Sequence, residues 1–160
     1  MVDKNSNDES LDEERTLERR ELFTTTVPVL VNHLNYGNHL GYDSVLSILQ
    51  EARMRWLKSN NMTELGLSGS VGYMITHASV DYHGEGFYGD KLQVRVLAAP
   101  PSRRGFELYY HVTNETSGKV IAEAKTKHIF FDFGTRKLAS GPESFAALFE
   151  SGDDLKLPPV

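Results

Sequence analysis

Val31-Asn32-His33-Leu34-Asn35-Tyr36-Gly37-Asn38-His39-Leu40-Gly41-Tyr42-Asp43 leads without a break into an apolar periodic stretch ending Gln50-Glu51-Ala52-Arg53. Polar groups crowd the first half: Asn32, His33, Asn35, Tyr36, Asn38, His39 and Asp43. Gly37 and Gly41 let the backbone turn tightly and approach a ligand closely. A packed core has no use for such a cluster, whereas a pocket with a few convergent polar groups does. In the second half Val45, Leu49, Ala52 and Trp56 share a narrow arc at about 100° per residue, flanked by Ile48 and Leu46. The spacing predicts a helix over 43–58, capped by Asp43 or Ser44, with its broad apolar stripe lying on a sheet. Asn60-Asn61 and Gly66 mark its exit.

Upstream, Leu22 to Val31 is rich in β-branched residues and reads as a strand, with Pro28 pointing to an edge or a bulge. Downstream the period switches to two. Alternation runs over Val71–Val80, Leu92–Ala98, Phe106–Val112 and Val120–Lys127, the last continuing into Ile129-Phe130-Phe131. His83-Gly84-Glu85-Gly86, Pro100 to Gly105, and Asn114 to Lys119 read as the turns between them. A short last helix is expected from near Pro142, carrying Phe145, Leu148 and Phe149. Strand, helix, then strands joined mainly by hairpins makes an α+β domain: an antiparallel sheet wrapped around one long central helix. Hairpin order leaves sheet edges that a second copy can pair with, so a homodimer or homotetramer is expected.

The 160 residues have the length of one domain, expected over 21–150 between an acidic, disordered tail (1–20) and a C-terminal tail (151–160). Hydrophobic residues at 39% and charged residues at 24% describe an ordinary soluble composition. No cysteine is present, which excludes disulfides and thiolate chemistry and fits a cytoplasmic location. No apolar run approaches a membrane span, and the polar, acidic start is unlike a signal peptide. The net charge of −5 is uneven: residues 1–21 hold eight acids against four bases, a balance of −4, which leaves −1 for the rest. A nearly neutral body without a basic stripe argues against nucleic acid.

Asn38-His39-Leu40-Gly41-Tyr42 resembles the Gly-His-Val-Asn-Asn stretch of the hotdog-fold thioesterases, in the branch related to 4-hydroxybenzoyl-CoA thioesterase. Glu51-Ala52-Arg53 matches the branch's helix ending, and Phe87-Tyr88-Gly89-Asp90-Lys91-Leu92 resembles its Tyr-Gly-Asp-x-Leu turn. The resemblance spans roughly residues 22–135 and implies hydrolysis of acyl-CoA or acyl-carrier-protein thioesters, with coenzyme A arriving as part of the substrate and no separate cofactor. The two aspartates of the family motif fall on His33 and Asn35. The second is the carboxylate that many members use as nucleophile or base, and an amide cannot take that proton. Other members pair a loop Asn with a helix carboxylate, and Asn35 with Glu51 is similar to that arrangement. The resemblance thus implies Glu51 as general base or nucleophile, with loop groups and the helix start holding the carbonyl oxygen.

Each candidate also has a plainer role. Glu51 is placed for an ordinary surface pair with Arg55, and Asp43, the rival carboxylate, for a helix cap. His39 suits either substrate orientation or a tie to backbone carbonyls. Gly41 marks a helix start with open N–H groups and a positive dipole end, and Tyr36 and Tyr42 flank it as candidate substrate contacts. Tyr36, Tyr73, Trp56 and Phe87 also suit core or interface packing. Arg103-Arg104 is suited to coenzyme A phosphates or to solvent alone. His77, His83, His111 and His128 lack metal-ligand spacing, so no metal is expected. Two other functions compete with hydrolysis. A hotdog hydratase or dehydratase needs an Asp-x-x-x-x-His pair, where this loop has Asn35 and His39. A non-catalytic acyl-CoA-binding or scaffold protein is favoured by the missing loop aspartate.

Overall fold

A computed structural model describes residues 19–150. The two expected tails lie outside them, except that Arg20 already begins a strand. In chain order the elements are β1 (Arg20–Pro28), α1 (Tyr42–Ser59), β2 (Val71–Tyr82), β3 (Lys91–Ala98), β4 (Gly105–Asn114), β5 (Val120–Asp132), β6 (Lys137–Leu138) and α2 (Glu143–Ala146). The antiparallel sheet has the order β1-β3-β4-β5-β2, with β6 pairing to β5. Among the described residues no helix is long and apolar enough to cross a membrane.

β1 is an edge strand, as Pro28 implied, but it stops at Pro28 instead of running on to Val31. The backbone then tightens into a 3-10 turn over Val31–His33, in which the Leu30 N–H donates to His33 Nδ1 at 2.9 Å. A second difference lies at His83–Gly86, which is not a hairpin turn. The N–H groups of His83 and Gly84 still donate to Ile121 on β5, and the chain then crosses to β3 on the other side of β4 and β5. A third lies inside β2. Register shifts between Ile75 and His77, leaving Thr76 unpaired as a bulge. Tyr73 and Ile75 face the helix side, but beyond the bulge that row continues through Ala78, Val80 and Tyr82 instead of His77 and Ser79.

Helix α1 places Val45, Ile48, Leu49, Ala52, Trp56 and Leu57 in the core, matching the expected arc, while Leu46 stays half-exposed. It packs mainly against β1 and β3. Trp56 and Tyr73 are core residues; Tyr36 and Phe87 are exposed. Phe145 and Phe149 close the far end against Trp56 and Phe106.

Within this apolar layer His128 stacks on Phe106 at 4.2 Å between ring centroids and donates from Nδ1 to the Phe106 carbonyl. Its Nε2 is buried without a hydrogen-bond partner among the described residues. Burial pushes the imidazole down from 6.5 to about 3, outweighing the help of that carbonyl. The unfolded chain binds a proton here below its ordinary 6.5 and the folded chain does not until about 3, so acidification destabilises the fold across that window. Between pH 6.5 and about 4.5 we expect a loss of about 1–3 kcal/mol by urea denaturation, abolished in His128→Phe. An equal loss in His128→Phe would refute the assignment.

Candidate active site

The loop before α1 is a miniature hairpin. Leu34 and Leu40 form a bridge, the Asn35 N–H donates to the His39 carbonyl at 2.9 Å, and Asn38 turns the chain at φ 64°. Asn35 accepts the Gly37 N–H on Oδ1 at 2.9 Å, an Asx turn that a carboxylate would make equally well. The amide therefore preserves the loop shape while giving up the base, and keeps its NH2 donors for a ligand. The His39 Nδ1–H donates to its neighbour's carbonyl, Leu40 O, at 3.2 Å. That tautomer leaves Nε2 as an acceptor, fitted to orient a substrate N–H or O–H rather than to donate to a thioester oxygen.

Gly41 is the N-cap of α1, correcting the expectation of Asp43 or Ser44. Among the described residues no side chain caps the first turn. The Gly41 N–H donates to the His33 carbonyl at 2.9 Å and the Ser44 N–H to the Gly41 carbonyl at 3.1 Å, which leaves the N–H groups of Tyr42 and Asp43 open. Asp43 lies within that turn near the positive dipole end. A Cβ on Gly41 would meet Asp43 Oδ1 at 2.7 Å and Asn35 Cβ at 3.3 Å, so glycine lets loop and helix start close on one another without turning the Asp43 carboxylate aside. Tyr42 and Tyr36 are exposed here, Tyr36 fully so at the loop tip. The structure thus gathers Asn35, Tyr36, His39, Gly41, Tyr42 and Asp43 at one end of the helix.

Glu51 is not among them. It lies ten residues beyond Gly41, about 15 Å along the axis at 1.5 Å per residue, too far for its carboxylate to meet Asn35 of the same chain. It pairs with Arg55 at 2.9 Å, the plain surface contact anticipated from its spacing. Arg103 and Arg104 sit farther still. Gly105 pairs with Ile129, which faces Met74 near the start of β2, whereas Tyr82 at the other end of β2 donates to the Tyr42 carbonyl. That run of strand sets the arginines about 25 Å from the loop. Arg103 bonds Ser140, and Arg104 lines a groove of about 400 Å³ with Thr76, Ser102, Glu107 and Lys127.

Two positioning networks run through Asp90 and Arg53, which the sequence marked as motif residues without showing their partners. In the first, the turn at 86–90 grips both flanks of the loop: the Leu40 N–H donates to Gly86 O at 2.7 Å, and the Gly89 N–H to Val29 O at 2.9 Å. The turn itself is held by Asp90, whose Oδ2 accepts the Phe87 N–H and the amide of buried Asn114. Asn114→Ala should cost about 1–3 kcal/mol by leaving Asp90 short of a donor, and should speed hydrogen exchange at the Leu40 N–H. Unchanged exchange there would dissociate the turn from the loop.

The second network surrounds Arg53 of Glu-Ala-Arg, which is 2% exposed. Its guanidinium donates to Glu64, to the Tyr73 hydroxyl and to the Tyr110 hydroxyl, which in turn meets Thr126. Burial opposes the charge, but the oxygens of Tyr110, Tyr73 and Glu64 outweigh it, and both tyrosine hydroxyls are pushed up by burial. This motif arginine fastens α1 to β2, β4 and the loop after the helix.

The antiparallel sheet packed on α1, with a polar loop closing on a helix start that no side chain caps, has the hotdog fold. The chain belongs to the thioesterase-like superfamily of hydrolases acting on thioester bonds, whose profile matches residues 29–149. Over 112 residues it is 30% identical to a 1,4-dihydroxy-2-naphthoyl-CoA hydrolase of Nostoc punctiforme, covering 69% of this chain and 74% of that protein. Its fold is similar to that of a 1,4-dihydroxy-2-naphthoyl-CoA thioesterase from Synechocystis, with a TM-score of 0.73 at 23% identity over 85% of this chain and 98% of that one. A Staphylococcus aureus protein solved in complex with CoA aligns with a TM-score of 0.75 at 18% identity, over 88% of this chain and 89% of that one.

Proposed function

We propose that this protein hydrolyses acyl-CoA thioesters with water at a site built from two copies of the chain. The observation that carries the shared site is the separation of about 15 Å between the Asn35–Gly41 loop and Glu51 within one chain. The relative from Nostoc punctiforme, named for hydrolysis of an aromatic acyl-CoA, supports the reaction. The β2 edge, exposed on both faces from Met74 to Ser79, is a surface on which two copies can pair, at the other end of the sheet from the β1 strand that holds Arg55 and, through it, Glu51. In the proposed homodimer or homotetramer, Glu51 of one copy takes a proton from water as the hydroxyl attacks the thioester carbonyl. The Asn35 amide and the open N–H groups at the start of α1 of the other copy hold the oxygen as it gains charge, and His39 and Tyr42 orient the substrate. Collapse breaks the C–S bond, and the CoA thiolate leaves to take up the proton. A cytoplasmic setting, with CoA rather than carrier protein as the carrier, completes the proposal.

Release of free thiol over a panel of short, long and aromatic acyl-CoAs tests the reading, and turnover of an aromatic member is the expected result. Tight binding without thiol release would favour the non-catalytic acyl-CoA binder, the reading for which Asn35 in the aspartate position argues.

A further inference from the structure

Arg55 is more than the second half of a surface ion pair. Its Nε donates to Glu51 Oε1 at 2.9 Å, while its Nη1 donates to the Thr25 hydroxyl at 3.0 Å and to the Thr26 carbonyl at 2.9 Å. An isolated pair on a helix surface is worth a few tenths of a kcal/mol because both long side chains must be immobilised to make it. Here the guanidinium is already immobilised by β1, so the carboxylate meets a fixed donor. Glu51 is half-exposed, and unheld it would sample several rotamers over its three side-chain torsions. Among the described residues only Oε1 is engaged, which leaves Oε2 of this half-exposed side chain without a hydrogen-bond partner. The strand that holds Arg55 is also the strand from which the 29–41 loop departs. One element therefore sets both the position of the loop and the direction of the carboxylate.

We infer that Arg55 is a positioning residue: anchored on β1, it fixes the Glu51 carboxylate with Oε2 presented outward for the attacking water. This rests on the reading of Glu51 as the base. The full-length protein is tested as Arg55→Met, Thr25→Val, Glu51→Gln and the double variant Glu51→Gln/Arg55→Met, with acyl-CoA thiol release and thermal melting followed for each. Arg55→Met should lower kcat about tenfold or more with KM within about twofold, because a misdirected base spoils geometry and not substrate binding. Thr25→Val, which removes one anchor without touching Glu51, should lower kcat in the same direction by less. In the Glu51→Gln background, Arg55→Met should produce no further fall, since there is no base left to aim. A role in folding alone would instead subtract equally in both backgrounds and track the melting temperature. Equal losses in both backgrounds, or unchanged kcat in both Arg55→Met and Thr25→Val, would overturn the inference while leaving Glu51 in place. Full activity in Glu51→Gln would overturn the base assignment and this inference with it.

Discussion

Glu51→Gln is expected to lower kcat for the best acyl-CoA by at least about a hundredfold, near 2.7 kcal/mol of barrier, with KM little changed. The substitution keeps the shape and the hydrogen bond from Arg55 but removes the group that takes a proton from water. Because the pair is 39% and 48% exposed at its two side chains, stability should move by less than about 0.5 kcal/mol. Loss of rate without loss of fold is the signature required. Steady-state thiol release beside a melting curve supplies both numbers, and retention of full activity would remove Glu51 from the chemistry.

Arg53→Met should destabilise the fold by about 3–5 kcal/mol, the usual cost of removing one member of a buried charged pair. The substitution leaves Glu64 and the hydroxyls of Tyr73 and Tyr110 turned toward a side chain that cannot donate. Much of that cost comes from these stranded partners, so Arg53→Met combined with Glu64→Leu and Tyr73→Phe should recover part of it. Urea denaturation of the three-residue variant beside the single one is the measurement. No recovery would mean that the network contributes through its own bonds and not through the penalty of breaking it.

How much of this the sequence disclosed depends on which physical rule shaped each part. Helix α1 was legible almost to the residue, 43–58 against Tyr42–Ser59, because its apolar stripe has to face the sheet at a fixed angular period. β3 and β4 were equally legible, since each lies between two neighbours and alternates buried with less buried residues over most of its length, with buried runs only at Val96–Ala98 and Gly105–Phe106. The bulge at Thr76 was not, because one inserted residue changes the faces without leaving a side-chain signature. The crossover after β2 was misread because Gly84 and Gly86 look like hairpin residues. Their glycines instead permit close approach: a Cβ at Gly84 would meet the Val120 carbonyl at 2.8 Å, and one at Gly86 the Leu40 side chain at 3.3 Å.

The site divides along the same line. Its loop and helix start announced themselves through residue type. Asn35 reads from the sequence as an amide in the aspartate position, and its turn-forming bond to Gly37 came from the structure. Arg53 and Asn114 were invisible as anchors because their partners are remote in sequence: Glu64 is 11 residues away, Tyr110 is 57, and Asp90 is 24. The separation of Asn35 from Glu51 was hidden for a different reason. A spacing of sixteen residues resembles proximity until the loop doubles back and the helix carries the carboxylate away.

Complementation between two inactive variants tests the shared site most directly. Glu51→Gln and Asn35→Leu protomers are each expected to be nearly silent alone. Co-expressed, they should recover about a quarter of the wild-type thiol-release rate, because half of randomly paired two-fold dimers are mixed and each mixed dimer holds one intact site. A mixture as silent as its parents would contradict a site shared between two copies.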